Sequence, residues 1–385
     1  MKFPTFRRWR ALRPRSRAVA VLLAITTLLV GVGLLDQWRG DTWPARVVLR
    51  NPLVASPLGF SPDGRTILTT GRDGITPWDV ASGRKGETWE IAWGDSPVLG
   101  AYSPDGKTYA AAVFHLTHAI SIDLFDPATG RTRATLTTPR RTIMHLGFAD
   151  DGRTLRAFLG DDPQISECSS WNPSFGADLN EVVTWDVATG REMSSRPLSP
   201  PTRGAITAIS PDGRLLAIAD PRANAVQIWD LDADRTLGRL ARPAVAVAGA
   251  GVSFSDDGQT LAIGRVDGTV ELWDVPARRL RTTLRGHTDD FMFTMIRLSP
   301  EGRTLALTGY RWGPKPPLTR IQDAIRGVLR LSPIYDAELL VLDAATGRGL
   351  GRAASSTRPF YSPDGKTLAT GEPDGSTRLR DIPAP

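Results

Sequence analysis

Residues 254–279, FSDDGQTLAIGRVDGTVELWDVPARR, carry the pattern on which the rest of the chain is built. Phe254 closes one apolar run, Thr260–Gly264 is a second, and Thr269–Val275 alternates. In the last, Val270, Leu272 and Asp274 fall on one face, and Glu271 and Trp273 on the other. Asp257-Gly258 and Asp267-Gly268 separate the runs, and glycine enters a tight turn because it takes positive φ without a steric penalty. Three short strands joined by two turns are predicted. Such a sheet leaves apolar surface that only neighbours of its own kind would cover.

The chain repeats the pattern at Phe60–Arg84, Tyr102–Arg131, Phe148–Arg191, Ile209–Arg235, Leu298–Arg348 and Tyr361–Ile382. The turn glycines Gly64, Gly106, Gly152, Gly213, Gly258, Gly302 and Gly365 are spaced by 42, 46, 61, 45, 44 and 63 residues. A period in the low forties with Gly turns and Trp-Asp signals predicts a four-stranded propeller blade. The two longer spacings exceed the rest by less than a blade and are read as loop insertions. In the first repeat the predicted strands a to d are Pro57–Ser61, Thr66–Thr70, Thr76–Val80 and Thr88–Trp93.

Over roughly residues 45–385 the chain resembles the WD-repeat family of β-propellers in its bacterial form. The Trp-Asp dipeptide stands at Trp78-Asp79, Trp185-Asp186, Trp229-Asp230 and Trp273-Asp274, and is altered to Phe125-Asp126, Leu342-Asp343 and Arg380-Asp381. Repeats open on Ser-Pro-Asp-Gly or a variant, and several close on Ala-Thr-Gly-Arg, as at Ala188–Arg191 and Ala345–Arg348. The family's Gly-His pair occurs once, at Gly286-His287, a departure that touches its buried His–Ser/Thr–Asp–Trp network rather than the fold. The resemblance implies closure of the last repeat by the N-terminal strand Arg46–Arg50. It also puts the b–c and d–a connections on one face. Both large insertions, Gly160–Glu181 and Gly309–Ala337, lie between strands b and c and so share that face, as does a smaller expansion near His115–Ala119.

The first 44 residues have a different character. Residues 1–17 are a basic tail without acids, and Ala18–Leu35 is an eighteen-residue stretch without charge. As a helix it would extend roughly 27 Å, enough to span a bilayer. Residues 36–44 read as a linker, with Trp38 and Trp43 placed as interfacial aromatics. Seven cationic residues ahead of the segment predict an N-terminus inside and a propeller outside the cytoplasmic membrane. A cleaved signal peptide is the other reading, although no Ala-x-Ala site follows. The formal charge of +6 belongs to this tail: residues 1–39 hold eight Lys and Arg against Asp36, which leaves the remainder at −1. A nucleic-acid footprint on the propeller is not indicated.

Chemistry is sparse. One Cys excludes an internal disulfide framework and a Cys-based zinc site, and four His leave little for metal or acid–base work. His115 and His118 are the one close pair, without a third ligand near in sequence. No Gly-x-Ser-x-Gly elbow, P-loop, His-Glu-x-x-His or Cys-x-x-Cys occurs. Asp150-Asp151 is read as filling an a–b turn, and the four Trp of the dipeptides as packing between blades. Thr319–Leu331 has a helical apolar face of Ile321, Ile325, Val328 and Leu329, suited to a lid on the rim, a partner-binding helix or a membrane-surface helix.

The expectation is therefore an all-β chain: a seven-bladed β-propeller of four-stranded antiparallel blades over residues 45–385, after one transmembrane helix at 18–35. It is expected to be no enzyme, to use no cofactor or metal, and to bind a protein partner on the insertion-bearing face. The candidate partner-binding residues are Trp171 and Phe175 in one insertion, and Arg311, Trp312, Arg320 and Arg326 in the other. The alternatives are a soluble periplasmic ligand-binding propeller released by signal cleavage, or an enzyme with its site at the channel mouth.

Overall fold

The computed structural model describes residues 43–50, 56–71, 73–92, 96–115, 120–137, 142–161, 178–198, 202, 206–220, 225–241, 247–265, 267–284, 291–311, 337–355, 357–372 and 374–383. The expected transmembrane segment 18–35, the helix at 319–331, and His118 and His287 lie outside them. Among the described residues no helix is long and apolar enough to cross a membrane.

The described strands form seven antiparallel sheets, the blades of a propeller. Blade 1 is Ser56–Phe60, Thr66–Gly71 and Gly74–Asp79. Blade 2 is Ser96–Tyr102, Tyr109–Phe114, Ile120–Phe125 and Thr132–Thr137. Blade 3 is Thr142–Phe148, Thr154–Asp161, Asp178–Asp186 and Glu192–Pro197. Blade 4 is Ile206–Ile209, Leu215–Asp220, Ala225–Asp230 and Arg235–Ala241. Blade 5 is Val247–Phe254, Thr260–Arg265, Val270–Asp274 and Arg279–Leu284. Blade 6 is Phe291–Leu298, Thr304–Arg311, Ala337–Asp343 and Gly349–Ala354. Blade 7 is Phe360–Tyr361, Thr367–Gly371 and Thr377–Asp381, completed on its outer edge by Val47–Leu49. The closing strand pairs Val47 with Leu379 and Leu49 with Thr377, so no open edge is left there.

Each turn motif has a local cause. Ser61 Oγ donates to Asp63 Oδ1 at 2.6 Å, and the Arg65 amide donates to the same oxygen at 3.1 Å. Gly64 takes φ 69°, where a Cβ would be strained. These bonds hold the Asp63 carboxyl below the usual range. Asp151 plays this part in the blade 3 turn, accepting from the Arg153 and Thr154 amides. The aspartate of each Trp-Asp dipeptide caps the c–d turn: Asp186 Oδ1 accepts from the Thr189 amide and hydroxyl at 2.8 and 2.6 Å, which is what the Ala-Thr-Gly-Arg ending is for.

Seven hydrophobic clusters lie among the described residues, one in each seam between consecutive blades. The alternation in blade 5 divides its strand c between two of them. Trp273 goes to the seam with blade 4, and Val270 and Leu272 to the seam with blade 6. The Trp of every dipeptide faces the preceding blade: Trp78 with blade 7, Trp185 with blade 2 and Trp229 with blade 3. Phe125 and Leu342 fill the same place in seams 1–2 and 5–6. In seam 6–7 that place belongs to Arg380, fully buried, whose guanidinium lies 5.9 Å from the ring of Trp43.

Three expectations need correction. Trp43 is no interfacial aromatic: it is buried in seam 6–7, and its indole N–H donates to the Asp381 carbonyl at 3.0 Å. Among the described residues blade 1 has no regular strand d at the expected Thr88–Trp93; single antiparallel pairings at Ile75–Trp89 and Trp78–Lys85 stand in its place. Pro77, in the middle of strand c, has no N–H to offer a fourth strand. The b–c insertions are also shorter than expected. Gly160 and Asp161 pair with Leu179 and Asp178, and Gly309 and Tyr310 pair with Glu338 and Ala337. The hairpin arms go on exchanging backbone bonds, so the connections proper are 162–177 and 312–336.

Candidate functional site

Two regions of this scaffold hold the candidate residues and the half-buried charges. The first is the face carrying the b–c connections. Blade 3 strands b and c continue to Asp161 and Asp178 across a register shift after Leu159, and blade 6 strand b continues to Arg311. Of the six candidate residues, only Arg311 is described, as the strand partner of Phe291. Trp171, Phe175, Trp312, Arg320 and Arg326 lie outside the described residues. His115, from the smaller expansion, shares a 2.8 Å hydrogen bond with Ser121 Oγ. No group of three or more His, Cys, Asp or Glu suited to a metal ion occurs among the described residues.

The second place is the inner strands a, where sequence reasoning allowed a channel-mouth site but named no residues. Strands d face solvent, as the exposed Glu192–Pro197 shows, while strands a of neighbouring blades abut one another. Ile296 and Leu298 point into seam 5–6, so Met295 and Arg297 between them take the other face of the strand, and Arg297 meets Phe360 of blade 7. Counted back from the a–b turn, the residue two before the turn's first position is Gly59, Ala101, Gly147, Ala208, Ser253, Arg297 and Phe360 in blades 1 to 7. Five of the seven are small, and Ala101 and Ala208 pack against the seams with the following blade. A Cβ placed on Gly147 would meet no atom within 4 Å, so space lies in front of it. The Arg297 guanidinium rests 5.4 Å over the Phe360 ring. Two residues before Gly147 and Phe360 stand His145 and Arg358.

These groups sense one another. Burial lowers the pKa of Arg358 to about 10, with repulsion from Arg297 adding to it. Burial, then Arg358 and Arg297, lowers the pKa of His145 to about 4. Asp256, at the a–b end of blade 5, has its carboxyl raised by burial and pulled back by Arg297. Among the described residues neither Arg297 nor Arg358 has an ion-pair partner. The signal in the sequence was there: aligned on the turn, position 297 is the one charged residue among small and aromatic ones.

The shift of His145 gives a pH dependence. As pH falls below 6.5 the unfolded chain takes up a proton at His145, while the folded chain does not until about 4. Stability is expected to fall across that window by at most about 3 kcal/mol. Urea unfolding at a series of pH values should show the slope in the wild type and a smaller one in His145→Gln; an equal slope would place the proton uptake elsewhere.

A cavity of about 520 Å³ opens between the a–b turns of blades 1 and 2, beside Trp89 and Tyr102. Its two carboxylates are already committed, Asp63 to Ser61 and Asp105 to Ser103.

With this geometry in hand, comparison with known proteins is specific at one segment. Residues 247–274 match the WD domain, G-beta repeat. That segment is strands a to c of blade 5, the repeat from which the sequence pattern was read. Over longer stretches the chain is similar to WD-repeat proteins of eukaryotes. It is 24% identical over 305 residues to the periodic tryptophan protein 2 homolog of Dictyostelium discoideum, covering 73% of this chain and 30% of that one. It is 23% identical over 181 residues to the antiviral protein SKI8 of Saccharomyces cerevisiae, covering 45% of this chain and 44% of that protein. Autophagy-related protein 16 of Arabidopsis thaliana aligns at 23% identity over 201 residues, 52% of this chain and 35% of the plant protein. The chain spans less than half the length of each of these relatives.

Proposed function

We propose that this chain is a membrane-anchored, non-catalytic propeller that holds protein partners on its b–c face, outside the cytoplasmic membrane. The observation that carries the reading is the pair of lengthened b–c hairpins in blades 3 and 6, each of which leads into a long connection. Long connections cost conformational entropy of about 1–2 kcal/mol per ordered residue, while the a–b and c–d turns here stay short. The similarity to WD-repeat proteins supports an interaction module, and the charge-free segment 18–35 after a basic tail supports the anchor and its orientation. Trp171, Phe175, Arg311, Trp312, Arg320 and Arg326 are the contacts assigned to the partner.

Replacing 162–177 and 312–336 with short Asp-Gly turns is expected to leave the melting temperature within a few degrees of wild type and to abolish recovery of partners crosslinked in membranes. Trp171→Ala and Trp312→Ala should each weaken binding by about 2 kcal/mol. Protease added outside spheroplasts should cut the propeller of the intact protein. Full partner recovery by the doubly trimmed, folded protein would remove the b–c face from the function; a protected propeller would reverse the orientation.

A further inference from the structure

The cavity between blades 1 and 2 departs from a pattern that three other seams keep. In those seams a leucine of the outer strand packs beside the c–d turn glycine of the next blade: Leu136 on Gly190, Leu284 on Gly347 and Leu49 on Gly83. In seam 1–2 the place against Gly130 belongs to Trp89. Trp89 stacks on Phe125 at 5.6 Å and is 4% exposed, and its indole N–H has no hydrogen-bond partner among the described residues. Tyr102 lines the same cavity. Its counterpart in blade 7, Tyr361, accepts a bond from the Thr304 hydroxyl of blade 6 at 3.2 Å. Thr66 of blade 1 occupies the position of Thr304 and also lines the cavity, but no such bond joins it to Tyr102. A buried donor and a phenol are thus left unpaired at one opening, a cost that folded proteins ordinarily avoid.

Above these groups stand the exposed carboxylates of Asp63 and Asp105. The bonds that commit them to their turns use Oδ1 alone: Ser61 and the Arg65 amide on Asp63, Ser103 and the Lys107 amide on Asp105. Oδ2 of Asp63 accepts no bond among the described residues, and Oδ2 of Asp105 has the exposed Lys107 ammonium at 3.8 Å. The serine bonds, more than any other cause, hold both carboxyls below the usual range, so both are charged at neutral pH. No lysine or arginine lines the cavity among the described residues. Ser-Asp turns recur around the ring, so paired carboxylates alone would not single out this junction; Trp89 and the unbonded Tyr102 do.

We propose that this cavity binds an arginine of a basic peptide, its guanidinium between Asp63 and Asp105 against Tyr102, and a carbonyl of its backbone on the Trp89 N–H. A guanidinium offers a planar fork of donors to the two free carboxylate oxygens and the phenol oxygen, and it stacks on aromatic rings. The indole N–H repels a cation and needs an acceptor, which a peptide carries next to the side chain and a free amine does not. A volume of about 520 Å³ lies in the range of small-ligand sites. The site is built from a–b and c–d turns and does not depend on the b–c connections.

The test uses the full-length chain in a non-ionic detergent, with the blocked tripeptide Ala-Arg-Ala as probe and Ala-Lys-Ala and Ala-Gln-Ala for comparison. Titration calorimetry at low salt is expected to show saturable binding of the arginine peptide with Kd at or below about 1 mM. Added salt should weaken it, since the carboxylates are exposed. The lysine peptide should bind about fivefold more weakly or worse, and the glutamine peptide not measurably. Asn keeps the Oδ1 acceptor of the turn, so Asp63→Asn with Asp105→Asn should melt near wild type and lose about tenfold or more in affinity. Tyr102→Phe removes a hydroxyl that holds nothing in the empty protein; it should bind about threefold more weakly and melt no lower than wild type. Asp364→Asn, in the same Ser-Asp turn of blade 7, should change neither. The chain trimmed at 162–177 and 312–336 should bind the peptide as wild type does, which keeps this site separable from the b–c face. The proposal is overturned if wild type shows no saturable binding up to about 10 mM peptide, a level at which a 1 mM site would be mostly filled. It is equally overturned if the lysine or glutamine peptide binds as tightly as the arginine one, or if the doubly substituted protein binds as wild type does.

Discussion

A chain lacking residues 43–49 is expected to lose most of its folding stability and to aggregate. The segment is short but holds two seams. Trp43 is buried between blades 6 and 7, and Leu49, with no exposed surface, lies between blades 7 and 1. Between them Arg46 donates from its amide to the Leu379 carbonyl at 2.8 Å and from its side chain to Asp381 at 2.7 Å. Truncating a buried Trp or Leu to Ala costs about 2–5 kcal/mol each, against a domain stability of about 5–15 kcal/mol. The deletion also bares the Thr377–Asp381 edge to any other strand. Trp43→Ala alone should cost about 3–5 kcal/mol. Trp43→Phe keeps a ring over Arg380 and loses the indole bond to Asp381, for about 1 kcal/mol. Urea unfolding followed by circular dichroism, with sedimentation to detect association, measures all three. A truncated protein that stays monomeric and melts at the wild-type temperature would mean the ring closes without this strand.

Arg380→Ala should be the most damaging single substitution in blade 7. Arg380 fills the seam position that a Trp holds in four other blades, and every bond it makes is buried. Its Nη1 donates to Glu372 at 2.9 Å and to Thr370 at 2.7 Å, and its Nε donates to the Trp43 carbonyl at 2.9 Å. Burial raises the Glu372 carboxyl above its usual range, and Arg380 is the largest force opposing that. Without Arg380 the carboxylate is left in the seam uncompensated, a loss of about 3–5 kcal/mol. A carboxyl raised in the folded state withdraws stability as pH climbs from the ordinary carboxylate range through the folded pKa. The deficit of Arg380→Ala should therefore be larger at pH 7 than at pH 5. Pairing Arg380→Met with Glu372→Met removes both charges, fills the volume and should recover most of the loss. Denaturant unfolding of the single and double variants at both pH values checks this. A double variant no more stable than Arg380→Ala would show that geometry, rather than the orphaned charge, sets the cost.

Much of this architecture was legible because its causes are local. The Ser-Pro-Asp-Gly turns close on bonds within five residues, as Ser61 and Asp63 show, and the Ala-Thr-Gly endings on bonds to the aspartate three residues earlier. The alternation of Thr269–Val275 divides Trp273 from Val270 and Leu272, and the two faces do enter different seams. The repeat spacing gave seven blades, since one blade cannot cover its own two faces. Blade 1 departs through a local cause as well: Pro77 cannot donate, and the fourth strand shrinks to two pairings.

What the sequence by itself determined, then, is the set of blades, their turns and the tryptophans that pack four of the seams. Tertiary structure alone decided the rest. Trp43 reads as an interfacial aromatic when judged by its neighbours in the chain, yet its indole is bonded to a carbonyl 338 residues away. Arg380 reads as a degraded motif until Trp43 and Glu372 are seen around it. Arg297, Arg358 and His145 look like unrelated residues of three blades, and only closure of the ring lets the charges of the two arginines act on the histidine. Hydrogen bonds between near neighbours leave a pattern within a short window, whereas the field inside a channel is a sum over groups from blades far apart in the chain. No window along the sequence contains that sum.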